Sequence, residues 1–443
     1  MSEHTVSPST ADQSPDTSGT NGGHENRGFA QIGDAIAAIG RGEIVVVVDD
    51  EDRENEGDLI MAAEKVTTDD VVFFLHHTSG FLCTAITTAR ARALRLDPMV
   101  ADNTESMKTA FLVSVDSRVG TSTGISASDR AATIRALADT ETVPTDLARP
   151  GHVLPLEARD GGVLKRSGHT EATVDLARLA GLEPAGLLCE IVTGDKADMA
   201  RADELRAFAA AHGLLMITIA DLVRYRRQTE KLVHRESTAQ IPTQWGQFTC
   251  HAFRSELDGI EHLAFTMGDV ASSSDGPVLV RVHSECITGD IFGSRRCDCG
   301  PQLDEAMRLV ADAGRGAIVY LRGHEGRGIG ISHKLRAYAL QEQGRDTVDA
   351  NLDLGLPVDS REYGVGAQIL VDLGVTKMSV LTNNPTKYGG LAGFGLEIVE
   401  RVPLLSTPTP ENLEYLRTKQ QRMGHLLGDL DRPGPADQTD QAG

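Results

Sequence analysis

Residues 283–299 read HSECITGDIFGSRRCDC, and the second half of the chain is organised around this stretch. It holds three of the six cysteines of the chain: Cys286, Cys297 and Cys299. A Cys-x-Cys pair brings two sulfurs close enough to share one metal ion, and three thiolates form a soft, tetrahedral site that suits zinc. A fourth position left to water or substrate is typical of a catalytic zinc. Two alternatives stay open here: His283 as a fourth ligand, which would close the site, and three reduced thiols without a metal.

The composition excludes several classes of protein. A chain of 443 residues is long enough for two to three domains, and its net charge of -21 argues against nucleic acid or an anionic membrane as a partner. With 4% aromatic residues it also lacks the means for base-stacking surfaces. No apolar run approaches the length of a membrane span, and the amino terminus has no signal pattern. We therefore expect a cytoplasmic protein whose cysteines are reduced and free to bind metal.

The distribution of polar and apolar residues predicts two domains. Residues 1–27 are rich in Ser, Thr, Asp and Gly, and they bury too little apolar surface to offset the loss of conformational entropy on ordering. Residues 224–237 are charged and poor in large apolar side chains, which is typical of a domain boundary. We expect an α+β (mixed α/β) fold with two consecutive αβ domains and flexible tails at both ends. The predicted order is a tail at 1–27, a domain at 28–226, a linker at 227–237, a domain at 238–427 and a tail at 428–443.

An acidic loop dominates the first half. Residues 44–48 have the composition of a buried strand, and they lead into DDEDRENEGD at 49–58, with seven carboxylates and one arginine in ten residues. Crowded carboxylates raise one another's pKa unless a cation relieves them, which suits a Mg²⁺-assisted acid/base site. The alternative is a solvated acidic turn. The position directly after a strand, with Arg53 as a clamp for phosphate or carboxylate, favours a function.

Further polar stretches follow the acidic loop. They are RPGH at 149–152, RSGHTE at 166–171 and LCE at 188–190. A glycine beside a histidine lets the backbone approach a ligand, while arginine grips phosphate and histidine offers a nitrogen to a metal. Two such Gly-His pairs are difficult to attribute to packing.

The stretches DDEDRENEGD, RPGH, RSGHTEATVDL and LLCEI resemble 3,4-dihydroxy-2-butanone 4-phosphate synthase over residues 30–226. The resemblance implies conversion of D-ribulose 5-phosphate to L-3,4-dihydroxy-2-butanone 4-phosphate and formate with Mg²⁺ or Mn²⁺, chemistry that needs a base beside a carbonyl and a divalent ion. It implies that Glu54 and His169 bind the metal and that His152 and Glu190 are catalytic. The implied substrate contacts are Arg53, Glu54, Asp58, Arg166, Ser167, Gly168, His169, Thr170 and Glu190.

Three more stretches of the second half carry polar residues. GHEGRGIG at 323–330 is a glycine-rich turn whose backbone N–H groups can face a phosphate, with Arg327 adding charge. It is neither a Walker loop nor a dinucleotide fingerprint. Two other stretches are DSREYG at 359–364 and LTNNPTK at 381–387. Taken alone, the first indicates a helix cap and the second an Asn-Pro turn.

Together RVHSEC, RCDCG, EGRGIG, DSREYGVGAQIL and LTNNPTK resemble GTP cyclohydrolase II over residues 238–427. The resemblance implies zinc on the three cysteines and hydrolytic opening of the imidazole ring of GTP, releasing formate, pyrophosphate and a ribosylaminopyrimidine phosphate. It implies that Asp359 accepts a proton and Arg361 is a nucleophile, although a protonated guanidinium could equally donate to the leaving pyrophosphate. The implied GTP contacts are Arg281, Val282, His283, Ser284, Glu285, Gln302, Glu325, Gly326, Arg327, Thr347, Thr382 and Lys387, with Tyr338 near the guanine.

Two other functions compete with this bifunctional enzyme. A zinc nucleobase or nucleoside deaminase also uses cysteines and a glutamate, but with a Pro-Cys-x-x-Cys spacing that this chain lacks. A scaffold that keeps zinc for structure alone is the non-enzymatic alternative. Both families resembled here are homodimeric, so the resemblance also implies a homodimer.

Overall fold

The computed structural model describes residues 28–272, 274, 276–342, 364–384, 394–404, 408–423 and 425–427. The chain divides into two compact units, Met1–Leu222 and Val223–Gly443. Within the described ranges, no helix combines the length and the apolar character needed to cross a membrane. The predicted tails at 1–27 and 428–443 lie outside the described residues.

The first unit is built on a seven-stranded mixed sheet. Its strands are β1 Val45–Val48, β2 Gly57–Ala62, β3 Cys83–Thr87, β4 Val115–Ser117, β5 Leu147–Ala158, β6 Ala185–Glu190 and β7 Leu215–Thr218, in the order β4-β5-β3-β6-β2-β1-β7. Its helices are α1 Ile32–Arg41, α2 Thr68–His77, α3 Thr88–Ala93, α4 Ala127–Ala138, α5 His169–Leu179 and α6 Ala202–His212. A further helix, α7 Ile219–Thr229, runs across the division between the units.

Helix α5 positions the polar groups of this unit. Nine of its eleven residues are buried, because it packs against the sheet. Its first residue, His169, is therefore held inside the protein beside β1, whose residues Val45 to Val47 are fully buried. Strand β1 pairs antiparallel with β2 and parallel with β7. Residues 49–56, which contain most of the acidic loop, connect β1 to β2.

The second unit has its own seven-stranded sheet. The strands are β8 Val233–Thr243, β9 Gly246–Ser255, β10 Glu261–Met267, β11 Val278–Ser284, β12 Gly316–Leu321, β13 Lys377–Leu381 and β14 Glu397–Val402, in the order β14-β13-β11-β12-β10-β9-β8. The helices are α8 Ile287–Asp290, α9 Cys299–Ala313, α10 Ile331–Gln341, α11 Gly364–Asp372 and α12 Leu413–Met423.

The parallel part of this sheet determines where its polar loops meet. Strand β11 lies between β12 and β13 and is parallel to both, with Ser284 opposite Leu321. The chain leaves all three strands at the same edge, where ligands bind in open α/β sheets. The cysteine stretch follows β11, the glycine-rich turn follows β12 and Thr382 follows β13.

The segment predicted as a linker, residues 227–237, is mostly regular structure. Helix α7 continues to Thr229 and β8 begins at Val233. Strand β8 pairs antiparallel with β9 at the edge of the second sheet. Nine of its eleven residues are exposed, so the segment lacks the apolar alternation by which strands are recognised.

Candidate active sites

The acidic loop of the first unit folds around one carboxylate. The Asp49 side chain accepts the backbone N–H of Glu54 at 3.0 Å and that of Glu56 at 2.9 Å. Arg53 Nη1 donates to Asp49 Oδ2 at 2.8 Å, and the Asp49 side chain is 1% exposed. The loop therefore has a defined shape, with Glu54 turned toward His169.

Asp49, Glu54 and His169 form a potential metal-binding group. Each offers one ligand atom, and these atoms lie within 4.8 Å of one another. His169 Nε2 lies 3.2 Å from the Val47 carbonyl oxygen, and its Nδ1 lies 3.7 Å from Glu54 Oε2. A histidine that donates one ring N–H to a carbonyl keeps the other nitrogen for a metal. Asp58 Oδ1 is buried nearby and has no hydrogen-bond partner among the described residues.

Burial and charge shift the protonation of this group. Burial raises the pKa of Asp58 to about 8, and the Glu190 and Glu54 carboxylates act in the same direction. Burial alone would lower the pKa of His169, but the Asp58 and Glu54 carboxylates outweigh it and raise that pKa to about 9. The carboxylates of the cluster therefore stabilise a positive charge placed among them.

Two arginine side chains meet at the start of α5. Arg166 Nη1 donates to Glu171 at 2.8 Å, and its Nη2 donates to Thr109 Oγ1 at 3.1 Å. A Cβ on Gly168, the residue before α5, would lie 2.4 Å from Arg166 Nη1 and 3.1 Å from Arg53 Nη2. Two guanidinium groups thus converge on a helix amino terminus, an arrangement that binds phosphate. The predicted contacts Ser167, Gly168 and Thr170 all lie at this helix start.

The two predicted catalytic residues occupy different surroundings. Glu190, at the end of β6, is paired with Asp58 on β2 and accepts a hydrogen bond from Ser79 Oγ at 2.8 Å. His152 lies on β5, where Nδ1 is 2.7 Å from Asp116 Oδ2 and its backbone N–H donates to Oδ1 at 2.9 Å. In the part of the chain that the structure describes, no hydrogen bond or ion pair joins His152 to Glu190. The structure brings together Glu54, Asp58, His169 and Glu190, and pairs His152 with Asp116.

In the second unit the three cysteines meet as the sequence predicts. Cys286 follows β11 and Cys299 opens α9, and with Cys297 their sulfurs lie within 4.8 Å of one another. The sulfurs of Cys286 and Cys297 are 3.7 Å apart. Thiolates bound 2.3 Å from a tetrahedral zinc lie about 3.8 Å apart, so the spacing fits zinc. A Cβ on Gly289 would lie 2.9 Å from the sulfur of Cys297, which shows how closely the cluster packs on this glycine.

Hydrogen bonds from the two neighbouring cysteines and from Lys334 favour a thiolate at Cys286. Hydrogen bonding from Cys297 lowers the pKa of Cys286 well below its usual range, and the same contact raises the pKa of Cys297 to about 11. Lys334 Nζ donates to Cys286 Sγ at 3.1 Å and to Glu325 Oε1 at 2.5 Å, in a buried position. Glu325 Oε2 in turn accepts the backbone N–H of Ile287 at 2.6 Å.

A cavity opens beside the cysteines. Seven of the predicted GTP contacts line it: Arg281, His283, Ser284, Glu285, Gln302, Gly326 and Thr382. Tyr338 lines it as well. Arg281 is braced, because its Nη2 donates to Gln302 Oε1 at 2.7 Å and its Nη1 to the Leu381 carbonyl at 2.9 Å. Four cationic side chains also reach this cavity, although the chain has a net charge of -21: Arg281, Arg296, Lys334 and Lys419.

The remaining predicted contacts include one core residue, a histidine whose Nε2 is bonded to a carboxylate, and residues outside the described ranges. The Val282 side chain packs in the core of the second unit. His283 Nε2 lies 3.1 Å from Asp290 Oδ1, and the ring stacks on Tyr320 at 5.5 Å, so this nitrogen is not directed at the cysteine cluster. Thr347, Asp359, Arg361 and Lys387 lie outside the described residues, as does the side chain of Arg327.

Sequence reasoning missed several residues that support the two sites. Asp116 stands in an ordinary strand pattern, and nothing local indicates that it meets His152. Lys334 was detectable in part, because it shares helical spacing with Ala337 and Tyr338 on the buried face of α10. A lysine on a buried helix face needs a partner, and the structure supplies Glu325 and Cys286.

Two polar sites, each built by its own αβ unit, define this chain as a bifunctional enzyme. Residues 33–225 match the family model of 3,4-dihydroxy-2-butanone 4-phosphate synthase, and residues 234–403 match that of GTP cyclohydrolase II. The chain belongs to the family of bifunctional riboflavin biosynthesis proteins that carry both activities.

Relatives support this assignment along nearly the whole chain. The riboflavin biosynthesis protein RibBA of Nocardia farcinica is 59% identical over 404 residues, covering 91% of this chain and 97% of the relative. The chloroplastic bifunctional riboflavin biosynthesis protein RIBA 1 of Arabidopsis thaliana is 58% identical, covering 90% of this chain and 74% of the relative. The crystal structure of RibBX, a two-domain 3,4-dihydroxy-2-butanone 4-phosphate synthase from A. baumannii, is 36% identical, with a TM-score of 0.63 over 84% of this chain and 99% of that one.

These comparisons decide between the functions considered from the sequence. The synthase and cyclohydrolase activities are confirmed for the two units. The deaminase alternative is not supported, because the unit that holds the cysteines matches GTP cyclohydrolase II. The scaffold alternative is not supported either, since both units match enzymes.

Proposed function

We propose that the first unit binds D-ribulose 5-phosphate and a divalent ion, Mg²⁺ or Mn²⁺, at the cluster of Glu54, Asp58 and His169. The observation that carries the proposal is the buried Asp58 Oδ1, which has no hydrogen-bond partner among the described residues. Glu54 and His169 are the metal ligands, and oxygen with imidazole donors suits these ions. When bound, the ion supplies positive charge that stabilises an enediolate.

The residues around the cluster bind the phosphate of the substrate and transfer protons. Arg53 and Arg166 hold the phosphate of the substrate at the start of α5, assisted by backbone N–H groups of 167–170. Glu190 lies beside the cluster and moves protons at the sugar carbons. His152 is the second acid/base group, because Asp116 occupies Nδ1 and leaves Nε2 available for proton transfer.

We propose that the second unit binds GTP in the cavity beside Cys286, Cys297 and Cys299, with zinc on the three thiolates. The observation that carries the proposal is the meeting of three sulfurs at metal-ligating distance beside a cavity with four cations. Zinc supplies Lewis acidity for hydrolysis at the guanine ring. Arg281, braced by Gln302, offers charge to the triphosphate.

We also assign catalytic roles to two residues of this unit that lie outside the described ranges. Asp359 accepts a proton, and Arg361 acts either as the nucleophile toward the α-phosphate or as a donor to the leaving pyrophosphate. The remaining contacts are proposed for Val282 through its backbone, and for His283, Ser284, Glu285, Glu325, Gly326, Arg327, Thr347, Thr382 and Lys387.

We also propose two domains, the first at 28–226 and the second beginning with β8 at Val233 rather than at residue 238, together with a homodimer and a cytoplasmic location. The division of the chain after Leu222 supports two domains. The dimer and the location rest on the family resemblance and on the composition of the chain. Light scattering on the purified protein tests the dimer, and a monomer mass would reject it.

Two substitutions test the site assignments. Because His152 and Cys299 belong to different units, His152→Ala should abolish formation of the four-carbon phosphate from ribulose 5-phosphate while formate release from GTP continues. Cys299→Ser should have the opposite effect. Loss of a catalytic acid/base group lowers a rate by about 10²- to 10⁴-fold. Loss of both activities in a folded single variant would contradict independent sites, and formate release by Cys299→Ser at the wild-type rate would contradict the zinc site.

A further inference from the structure

The carboxy-terminal helix α12, Leu413–Met423, lies beyond the matched cyclohydrolase segment, which ends at residue 403. It nevertheless belongs to the second site. Tyr415, Lys419 and His425 line the cavity beside the cysteines. This part of the chain therefore reaches the site without being part of the segment that identifies the family.

Helix α12 docks by one face. Asn412, Leu416 and Lys419 are 3%, 1% and 9% exposed, and they follow one another at spacings of four and three residues, which places them on the same side of the helix. After the helix, the Leu426 N–H donates to the Asn383 carbonyl at 2.9 Å and so ties the chain to the loop after β13; before it, the Thr409 N–H donates to Asn412 Oδ1 at 2.8 Å in a local turn.

The buried face of α12 includes one charged side chain, Lys419. Lys419 Nζ lies 2.6 Å from Asp298 Oδ1, and the Asp298 side chain is 0% exposed. The Lys419 ammonium also lies 4.5 Å from the centre of the Tyr415 ring. Asp298 stands between Cys297 and Cys299, so Lys419 holds the turn that carries two of the three sulfurs.

The contact extends to the proposed substrate site. The second oxygen of Asp298 accepts Gln302 Nε2 at 2.5 Å, and Gln302 Oε1 accepts Arg281 Nη2 at 2.7 Å. One chain of hydrogen bonds therefore runs from α12 through the Cys-x-Cys turn to β11. Buried ion pairs add little net stability, but groups behind metal ligands fix the orientation of those ligands.

We propose that α12 is a working part of the GTP cyclohydrolase II site, and that Lys419 is a positioning residue that holds the Cys297–Cys299 turn through Asp298. The proposal rests on the zinc site proposed above. It goes beyond that site because it gives α12 and Lys419 a role, although the matched cyclohydrolase segment ends at residue 403. Removal of Lys419 leaves a buried, unpaired carboxylate between two metal ligands, and the turn then loses its fixed geometry.

The test uses the full chain with zinc bound, and measures zinc transfer to a chromogenic chelator together with both activities. Lys419→Met should release zinc about 10- to 100-fold faster than wild type, as outer-shell substitutions do. Cyclohydrolase kcat should fall while synthase activity is retained. Lys377→Met is the matched control, because Lys377 is 53% exposed and pairs with Glu397 on the neighbouring strand. Wild-type zinc release and kcat in Lys419→Met would overturn the proposal.

A second variant separates positioning from folding. Asp298→Asn combined with Lys419→Met removes both charges, so no unpaired carboxylate remains. Zinc release that stays fast in this folded double variant supports positioning, whereas release at the wild-type rate assigns the pair to stability and overturns the proposal. Failure of both variants to fold would overturn it in the same way.

Cys299→Ser is measured alongside these variants. If it retains zinc and activity, the proposed zinc site itself is wrong. If it loses both while Lys419→Met retains both, only the positioning role fails.

Discussion

At the scale of single residues, His169 and Asp58 decide how the first site responds to pH. Burial raises the pKa of Asp58 to about 8, and the Asp58 and Glu54 carboxylates raise the pKa of His169 to about 9, so the pair shares at least one proton near neutral pH. A metal ligand must be deprotonated. Binding of the ion therefore competes with protons in this site.

We expect the affinity of the first site for Mn²⁺ to rise with pH. Protons are bound in the metal-free state and released on binding, so the affinity should increase about tenfold per pH unit for each proton released. Titration of zinc-loaded protein, followed by the electron paramagnetic resonance signal of free Mn²⁺ at about pH 6 and about pH 8, measures this. His76→Asn, at an exposed histidine of the same unit, should keep the slope. An equal affinity at both pH values would show that no proton is displaced.

Gly289 sets the space available to the three sulfurs. A Cβ at this position would lie 2.9 Å from Cys297 Sγ and 3.3 Å from Cys286 Sγ. Gly289→Ala should therefore spread the cluster and lower its zinc affinity by about tenfold or more, as changes behind metal ligands do. Zinc content after dialysis against a weak chelator measures the effect. Gly33→Ala is the control, because a Cβ there meets nothing within 4 Å; equal zinc retention in both variants would refute the steric argument.

The ligand residues are easier to find from sequence than the residues that support them. Cys286, Cys297 and Cys299 lie within fourteen residues, and their spacing alone predicts the cluster. Lys334 lies 48 residues from Cys286, and Lys419 lies 121 residues from Asp298. Such pairs form only when distant elements pack, so no local pattern indicates them.

At the scale of elements, α2 has an amino-terminal cap that can be tested separately from activity. Thr67 Oγ1 accepts the Asp70 N–H at 3.3 Å, and Asp70 Oδ2 accepts the Thr67 N–H at 2.9 Å. This reciprocal pair satisfies two N–H groups that the helix leaves unbonded.

Thr67→Ala should destabilise the first unit by about 1 kcal/mol and leave both activities at 25 °C unchanged, because the side chain is exposed and lies outside both sites. Urea unfolding, followed by loss of synthase activity, gives the free energy difference. Thr68→Ala, at the exposed neighbouring position, should cost much less. Equal effects of the two substitutions would show that the cap contributes nothing specific.

Sequence patterns predict the buried elements well and the exposed ones poorly. Residues 44–48 are predicted as a strand, and Val45–Val48 form β1, because consecutive valines belong in a sheet covered on both faces. Apolar residues at helical spacing over 302–313 predict a helix, and α9 begins three residues earlier, at Cys299, because the Cys-x-Cys turn runs directly into it. Strand β8 was expected as part of a linker, because an exposed edge strand carries polar residues on both faces.

At the scale of the whole molecule, two sheets carry two separate sites on one chain. The first site holds a cluster of carboxyl and imidazole groups, and the second holds three cysteine sulfurs. Hard oxygen ligands suit Mg²⁺ or Mn²⁺, whereas thiolates suit zinc. The two activities should therefore depend on different metals, even though one chain carries both.

We expect one chain to perform two reactions at sites with different metals, and one assay tests this directly. Purified protein is given ribulose 5-phosphate or GTP separately, after treatment with a thiol-compatible zinc chelator, and then after addition of Mg²⁺ alone or Zn²⁺ alone. We predict that formate release from ribulose 5-phosphate returns with Mg²⁺, and that formate and pyrophosphate release from GTP returns only with Zn²⁺. Restoration of GTP turnover by Mg²⁺ alone, or of both activities by Zn²⁺ alone, would contradict the account.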